Sequence, residues 1–305
     1  MPSDHGAAAQ IALVGPGAIG ATLAAELQRC GQRCVICARS ERPAITVERE
    51  GREPVRLDGP VLTDPAGLAP VRWLLVAVKA HQTAGAADWL RALADGGTTV
   101  LVLQNGIGQR ELVGPFAPRS RIVPSVVWFP AQTVAPDRVL VHGQPRLTLP
   151  DDDGGRDVAS LLSGTDCAVE VSARYEQVAW RKLAQNAVAG LTVPAGGRMG
   201  IFRRTDIADL ARAYAAEIVT VARAAGVDLD PGTPEGIVSS FAGFRPTLGS
   251  SITYDHEAGR PLEWEARNEV VRRVAAGIGV ATPISDVLVP LLAAASDAQD
   301  GSRAP

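Results

Sequence analysis

The sequence predicts an α/β protein in two parts, a doubly wound parallel sheet over residues 1–172 followed by an all-α domain over residues 173–305. Three observations predict it. Short apolar runs alternate with helical patterns through the first half, as they do when parallel strands are joined by helical crossovers. The first of those runs breaks into a glycine-spaced turn. Past Ser172 the strand-like runs stop, and apolar residues recur at helical spacing instead.

The glycine turn organises the chain. Gln10-Ile-Ala-Leu-Val-Gly-Pro-Gly-Ala-Ile-Gly20 leads straight into Ala-Thr-Leu-Ala-Ala-Glu-Leu, a strand, a G-x-G-x-x-G and a helix in immediate succession. That context points to a dinucleotide site and makes the first domain a Rossmann domain. Gly15 would allow the tight turn, Gly17 the close approach of a pyrophosphate, and Gly20 the packing of helix on strand. Gly15, Gly17, Ala18, Ile19 and Gly20 are thus candidate cofactor contacts, the phosphates meeting unsatisfied N–H groups and the positive end of a helix dipole.

Length and composition limit what can be attached to that turn. A chain of 305 residues exceeds the usual size of one core, so about two domains are expected. With 46% hydrophobic and 21% charged residues it can bury a substantial interior. Its net charge of −3 provides no broad basic field for nucleic acid or an anionic membrane, which favours a small-molecule partner. The N-terminus lacks a basic region followed by an apolar one, and no apolar run reaches the ~18 residues of a spanning helix; the expectation is a cytoplasmic protein.

The remaining strands are expected at Arg33 to Ala38, Trp73 to Val78, Thr99 to Leu103 and Arg121 to Val127, with helices at Ala21 to Arg29 and Thr83 to Leu93. Arg138 to His142 and Arg146 to Leu149 read as an antiparallel hairpin at the sheet edge, Asp151 to Gly155 as a polar turn, and Cys167 to Val171 as a last strand. Helices are expected at Ala173 to Val188, Asp206 to Ala225, Glu263 to Ile278 and Ile284 to Ala295, with a frayed tail from Ser296. An apolar helical face there could pack within the chain or across a homodimer. Cys34 and Cys37 spell C-x-x-C, but on a strand their side chains face opposite sides, so they read as buried packing residues. His5, His81, His142 and His256 show no metal-ligand spacing.

Where an acidic residue would grip the ribose of NAD, the second strand ends in Cys37-Ala-Arg39-Ser40. Arg39 would meet a 2′-phosphate, which predicts NADPH; Arg42 is a rival for the same contact. Ligands of an open parallel sheet collect beyond the carboxyl ends of its strands, where Lys79 and Asn105 fall. Taken alone, these two are equally an exposed lysine and a turn asparagine. In Trp180-Arg-Lys182-Leu-Ala-Gln-Asn186, Lys182 and Asn186 share a helix face, and a desolvated lysine can protonate a carbonyl oxygen. The spacing alone does not separate that role from a surface lysine.

The glycine turn, Arg39, Lys79-Ala-His-Gln82, Gln104-Asn-Gly-Ile-Gly108, Trp180-Arg-Lys182-x-x-x-Asn186, and Ser250-Ser251 with Glu263 twelve residues on occur in an order that resembles the ketopantoate reductases over essentially the whole chain. The resemblance implies a Rossmann domain, a helical domain, a cleft between them, and NADPH-dependent reduction of 2-dehydropantoate to pantoate. It implies that Lys182 is the general acid, that Glu263 assists it and binds the substrate hydroxyl, and that Asn105 lies between nicotinamide and substrate. Asn186 and Ser251 would contact the substrate, Ser251 at its carboxylate, and Lys79 the cofactor. Two positions depart from the pattern: Gly190 and Leu248 stand where asparagines are expected, and Glu263-Trp-Glu265 replaces Glu-x-Asp. These departures keep open another ketone, 2-oxoacid or imine as substrate. A catalytically idle NADP-binding protein would be expected to lack the Lys182 and Glu263 pair, which is present.

Overall fold

The computed structural model describes residues 10–300; His5 lies outside them. The chain forms two compact units. Of the described residues, one comprises those up to Gln104 and Gly108–Tyr175, the other Asn105–Ile107 and those from Glu176 onward.

In the first unit the elements run β1 (Ile11–Val14), α1 (Ala18–Arg29), β2 (Cys34–Cys37), β3 (Thr46–Arg49), β4 (Arg52–Arg56), β5 (Val61–Leu62), β6 (Trp73–Val76), α2 (Ala87–Leu93), β7 (Thr99–Val102), α3 (Gln109–Val113) and β8 (Arg121–Pro124). Then come β9 (Val126–Val127), β10 (Ala131–Ala135), β11 (Arg138–Val141), β12 (Arg146–Pro150), α4 (Asp153–Leu162) and β13 (Ala168–Ser172). Six strands make one parallel sheet in the order β5-β2-β1-β6-β7-β8. The chain order reverses between β1 and β6, the place where such sheets bind ligands. β1, β6 and β7 are buried along their whole length, as their unbroken apolar sequences require of strands covered on both faces.

Alternation assigns the two cysteines of β2 to separate cores. Cys34 packs with Ile11, Leu13 and Ile36, and Cys37 with Ala12, Val14 and Leu74. Burial pushes both thiols up to about 12.

Four expectations are corrected. The two strands read as a hairpin do not pair: β11 lies between β10 and β3 in a four-stranded sheet, and β12 between β13 and β9 in a three-stranded one. The Gly143-Gln-Pro145 link carries the chain from one sheet to the next instead of folding it back. The acidic run at Asp151 starts a helix: the Asp152 side chain accepts a hydrogen bond from the Gly155 N–H at 2.8 Å and caps α4. The part of the tail from Ser296 to Asp300 is helical, and Ser296 is buried, its hydroxyl accepting from the Leu262 N–H at 3.0 Å; residues 301–305 lie outside the described residues. The run from Arg121 to Val127 also divides at Ser125, whose hydroxyl bonds the Val102 carbonyl at 2.7 Å.

The second unit contains α5 (Tyr175–Ala189, beginning one residue earlier), α6 (Thr205–Ala224), α7 (Thr233–Gly243), α8 (Ser251–Glu257), α9 (Val270–Ile278) and α10 (Pro283–Asp300). Leu183, Ala187, Tyr214, Ile218, Phe241 and Val271 lie in its core. One π-helical turn, Glu265–Glu269, precedes α9; such turns often mark functional sites. Among the described residues, no helix is long and apolar enough to cross a membrane.

Candidate active site

Each glycine of the first turn has its own geometry. Gly15 has φ +92°, and a Cβ there would lie 2.6 Å from the Val78 backbone nitrogen. At Gly20 a Cβ would meet the Gly15 carbonyl oxygen at 2.6 Å and Ala77 at 2.8 Å. Gly17 differs: nothing lies within 4 Å of where its Cβ would be. It stands at the N-cap of α1, which has no side-chain cap, so the N–H groups of Ala18, Ile19 and Gly20 have no carbonyl of their own helix to bind. Open space over a glycine, beside three such donors, fits a pyrophosphate.

Arg39 is exposed just beyond the end of β2. Arg42 is turned toward the glycine turn: its Nη1 donates to the Pro16 carbonyl at 3.0 Å, and its buried Nε has no hydrogen-bond partner. Of the two arginines, Arg39 is thus the one open to solvent. Lys79 follows β6 and is half-buried, its backbone N–H donating to Gln82 Oε1 at 3.3 Å. Gln104, buried at the end of β7, donates from Nε2 to the Val78 carbonyl and to Thr83 Oγ1 at 3.1 and 2.8 Å.

The second unit joins side chains from three distant segments. Asn186 Nδ2 donates to Asn105 Oδ1 at 3.3 Å, and Asn105 Nδ2 donates to Glu263 Oε2 at 3.1 Å. Asn186 and Glu263 are each 8% exposed, and Asn105 between them is half-buried. Asn105 is placed by Gly106, with φ +98° and a would-be Cβ only 2.5 Å from the Ala266 carbonyl oxygen. Lys182 sits one turn before Asn186 on α5 and is half-buried.

Ser251, exposed at the start of α8, is joined to this region by a residue that the sequence reading missed. Arg267, 2% exposed, donates from Nη1 to Ser251 Oγ at 2.9 Å. Burial lowers its pKa, and the carboxylates of Glu263 and Asp255 oppose that shift. A signal was available, since Arg267 lies one helical turn after the candidate carboxylate Glu263.

The departures also acquire locations. Gly190 is buried, and a Cβ there would lie 3.2 Å from Asn268 Nδ2 and 3.4 Å from Leu292. Asn268, fully buried, donates to the Ala187 carbonyl and to the Tyr214 hydroxyl, each at 3.1 Å. Leu248 is half-buried and packs against the helical core, and Glu265 is exposed. Trp180 is a core residue.

A parallel sheet in this strand order, opened by a glycine turn, together with a helical unit that gathers lysine, asparagine and glutamate, defines a nicotinamide-dependent oxidoreductase of the Rossmann class. Models of the family described as ketopantoate reductase PanE/ApbA match residues 11–154, and its C-terminal part matches residues 174–296. A 2-dehydropantoate 2-reductase of Mycobacterium tuberculosis is 45% identical over 288 residues, covering 94% of this chain and 98% of that protein. A dimeric ketopantoate reductase from Staphylococcus aureus shares the fold at a TM-score of 0.83 and 24% identity, covering 95% of this chain and 99% of that one. D-mandelate dehydrogenase, in a complex with NADH and anilino(oxo)acetate, shares it at 0.86 and 22%, with the same coverage. The chain belongs to the ketopantoate reductase family.

Proposed function

We propose that the chain is an NADPH-dependent 2-dehydropantoate 2-reductase, serving the formation of pantothenate and coenzyme A. The observation that carries this reading is the hydrogen-bonded row Asn186, Asn105 and Glu263, with Lys182 one turn away on the same helix as Asn186. In this reading residues 1–172 bind the cofactor and residues 173–305 bind substrate and carry the proton chemistry. Gly15, Gly17, Ala18, Ile19 and Gly20 hold the pyrophosphate, Arg39 the 2′-phosphate, and Lys79 and Asn105 further parts of the cofactor. When bound, the cofactor supplies the hydride that is added to the ketone carbon.

The residues of the chain do the rest. Lys182 holds its ammonium proton toward the ketone oxygen and releases it there as negative charge develops, completing the alcohol. Glu263 orients that lysine and accepts from a substrate hydroxyl, while Asn105 keeps the carboxylate turned inward. Asn186 contributes an amide to the substrate and Ser251 a hydroxyl to its carboxylate. Shielding from water strengthens the contacts made by Asn186 and Glu263, which are buried.

Gly190 and Leu248 motivate a second reading, the same reaction on a different 2-oxoacid, ketone or imine. A homodimer is our reading of the assembly, with Val287 and Leu291 exposed on α10 as apolar candidates for its contact. The cytoplasm, which keeps thiols reduced, suits four free cysteines.

The test is NADPH oxidation with 2-dehydropantoate beside bulkier 2-oxoacids. Lys182→Ala should lower kcat by about 10²- to 10⁴-fold with NADPH binding retained. Arg39→Ala should reduce the preference for NADPH over NADH by about 10- to 100-fold, the worth of a charge-assisted contact. Turnover of a bulkier acid with 2-dehydropantoate inert would select the second reading.

A further inference from the structure

We propose that Arg267 is a positioning residue for substrate selectivity, a buried cation that makes the Ser251 hydroxyl a donor for the carboxylate of a 2-oxoacid. The inference rests on the reading above, in which Ser251 meets that carboxylate.

Three observations lead to it. First, Arg267 is the largest of the fully buried side chains, and its Nε has no hydrogen-bond partner. Burying a guanidinium costs several kcal/mol unless surrounding groups offset it, so a fold keeps one where its charge is used. Second, its Nη1 donates at 2.9 Å to a residue that is itself exposed. A guanidinium has no acceptor, so the Ser251 proton cannot point back at it. With one lone pair of Oγ taken by Arg267, the O–H is left to donate elsewhere, and the charge-assisted bond to its oxygen makes it a stronger donor.

Third, the acidic residues that act on Arg267 are Glu263 and Asp255. Glu263 takes a hydrogen bond from Asn105, and Asp255 one from Arg260 Nε at 2.8 Å. An anionic substrate brought toward Glu263 would meet a like charge, which the nearby Arg267 cation offsets. Carboxylate affinity then comes from one charge transmitted through one hydroxyl.

The decisive readout is the preference for an anionic substrate over a neutral one of the same shape. Wild-type enzyme, Arg267→Met and Arg267→Lys are compared by steady-state kinetics on 2-dehydropantoate and on its uncharged primary amide, with NADPH affinity measured separately by fluorescence titration. The acid should be favoured by the wild type by about 100-fold in kcat/KM, the scale of a hydrogen bond to a charged group. Arg267→Met should raise KM for the acid by about 10- to 100-fold while leaving kcat for the acid and kcat/KM for the amide within about threefold. Arg267→Lys should recover part of the preference, and NADPH affinity should not move.

Equal losses on acid and amide would overturn the proposal in favour of a packing role, as would an unchanged KM. If Arg267→Met fails to fold by circular dichroism, Arg267→Gln decides: it should lose the same preference, and full preference in that variant overturns the proposal, while Ser251→Ala tests separately the reading on which the proposal rests. If the wild type reduces a different 2-oxoacid instead, the substrate assignment falls, and the same measurements on that acid and its amide still decide the role of Arg267.

Discussion

At Gly17 an added Cβ would meet nothing within 4 Å, whereas at Gly190 it would press on Asn268 at 3.2 Å. The two glycines stand in different units. Around Gly17 the candidate site is made by leaving side chains out, so that backbone N–H groups can reach a phosphate. Around Gly190 the space is already filled, and the candidate site beyond it is made by side chains held by one another, Asn186 on Asn105, Asn105 on Glu263 and Arg267 on Ser251. A site built from backbone tolerates little change in shape, and a site built from side chains tolerates little change in partners.

Four experiments can break or sharpen that contrast, two of them on the proposed roles above. If the first unit works through its backbone, its reactive side chains should be idle. Burial pushes Cys34, Cys37 and Cys167 up to about 12. Because only the thiolate reacts, their alkylation by iodoacetamide at neutral to mildly alkaline pH should be about a thousandfold slower than that of a free thiol. Cys30, which is exposed, should be modified first, and mass spectrometry of proteolytic peptides resolves the sites. The sign for stability follows: these folded values lie above the ordinary 9.0, so the contribution of the neutral thiols is full below pH 9 and fades as pH rises toward 12. Fast labelling of Cys34 or Cys37 would show chemistry where packing is claimed.

Next in size come alanine substitutions in the turn. Gly15→Ala forces a positive φ on a side chain that also overlaps Val78, and should destabilise by about 3 kcal/mol or more in urea unfolding. Gly17→Ala has φ −78° and open space, so stability should stay within about 0.5 kcal/mol while NADPH binding weakens about tenfold or more. A Gly17→Ala protein that binds NADPH normally would mean that the open space is not where the phosphates lie.

The smallest effect concerns Gly190. Gly190→Asn reproduces the residue expected from the family resemblance, but the new side chain would have to displace Asn268 or Leu292. Overpacking should cost about 1–3 kcal/mol, with no gain in affinity for 2-dehydropantoate. A gain in affinity would mean that this position opens toward the substrate.

What could be read in advance follows the same division. Five strands of the parallel sheet were legible, most plainly Ile11–Val14, Trp73–Val76 and Thr99–Val102, because strands covered on both faces must be apolar throughout, whereas two-residue β5 was too short to show. The glycine turn was legible because an absence of side chains is written directly in the sequence. β4 and β10 were missed because they are largely exposed and carry Arg52, Glu53, Gln132 and Thr133, a composition that reads as loop. The false hairpin came from judging pairing by proximity along the chain, when β11 finds β3 and β12 finds β13. In the helical unit, Lys182, Asn186 and Glu263 stood out by family resemblance. Arg267 did not, since nothing local distinguishes an arginine that will be buried from one on a solvated helix face. Seven-residue α8 is too short to show a period.

Asn105 has one more implication, for how such a protein can be taken apart or recombined. The three residues Asn105–Ile107 lie in the middle of the first unit's sequence but belong to the compact body of the second. A gene cut at the codon for Tyr175 would yield a helical fragment whose Glu263 lacks the amide that orients it. A dinucleotide module borrowed from another enzyme would have to bring its own asparagine at that loop. Inheritance of the two halves is therefore coupled by a tripeptide, and exchange between relatives is expected to succeed only when the loop after β7 travels with the helices.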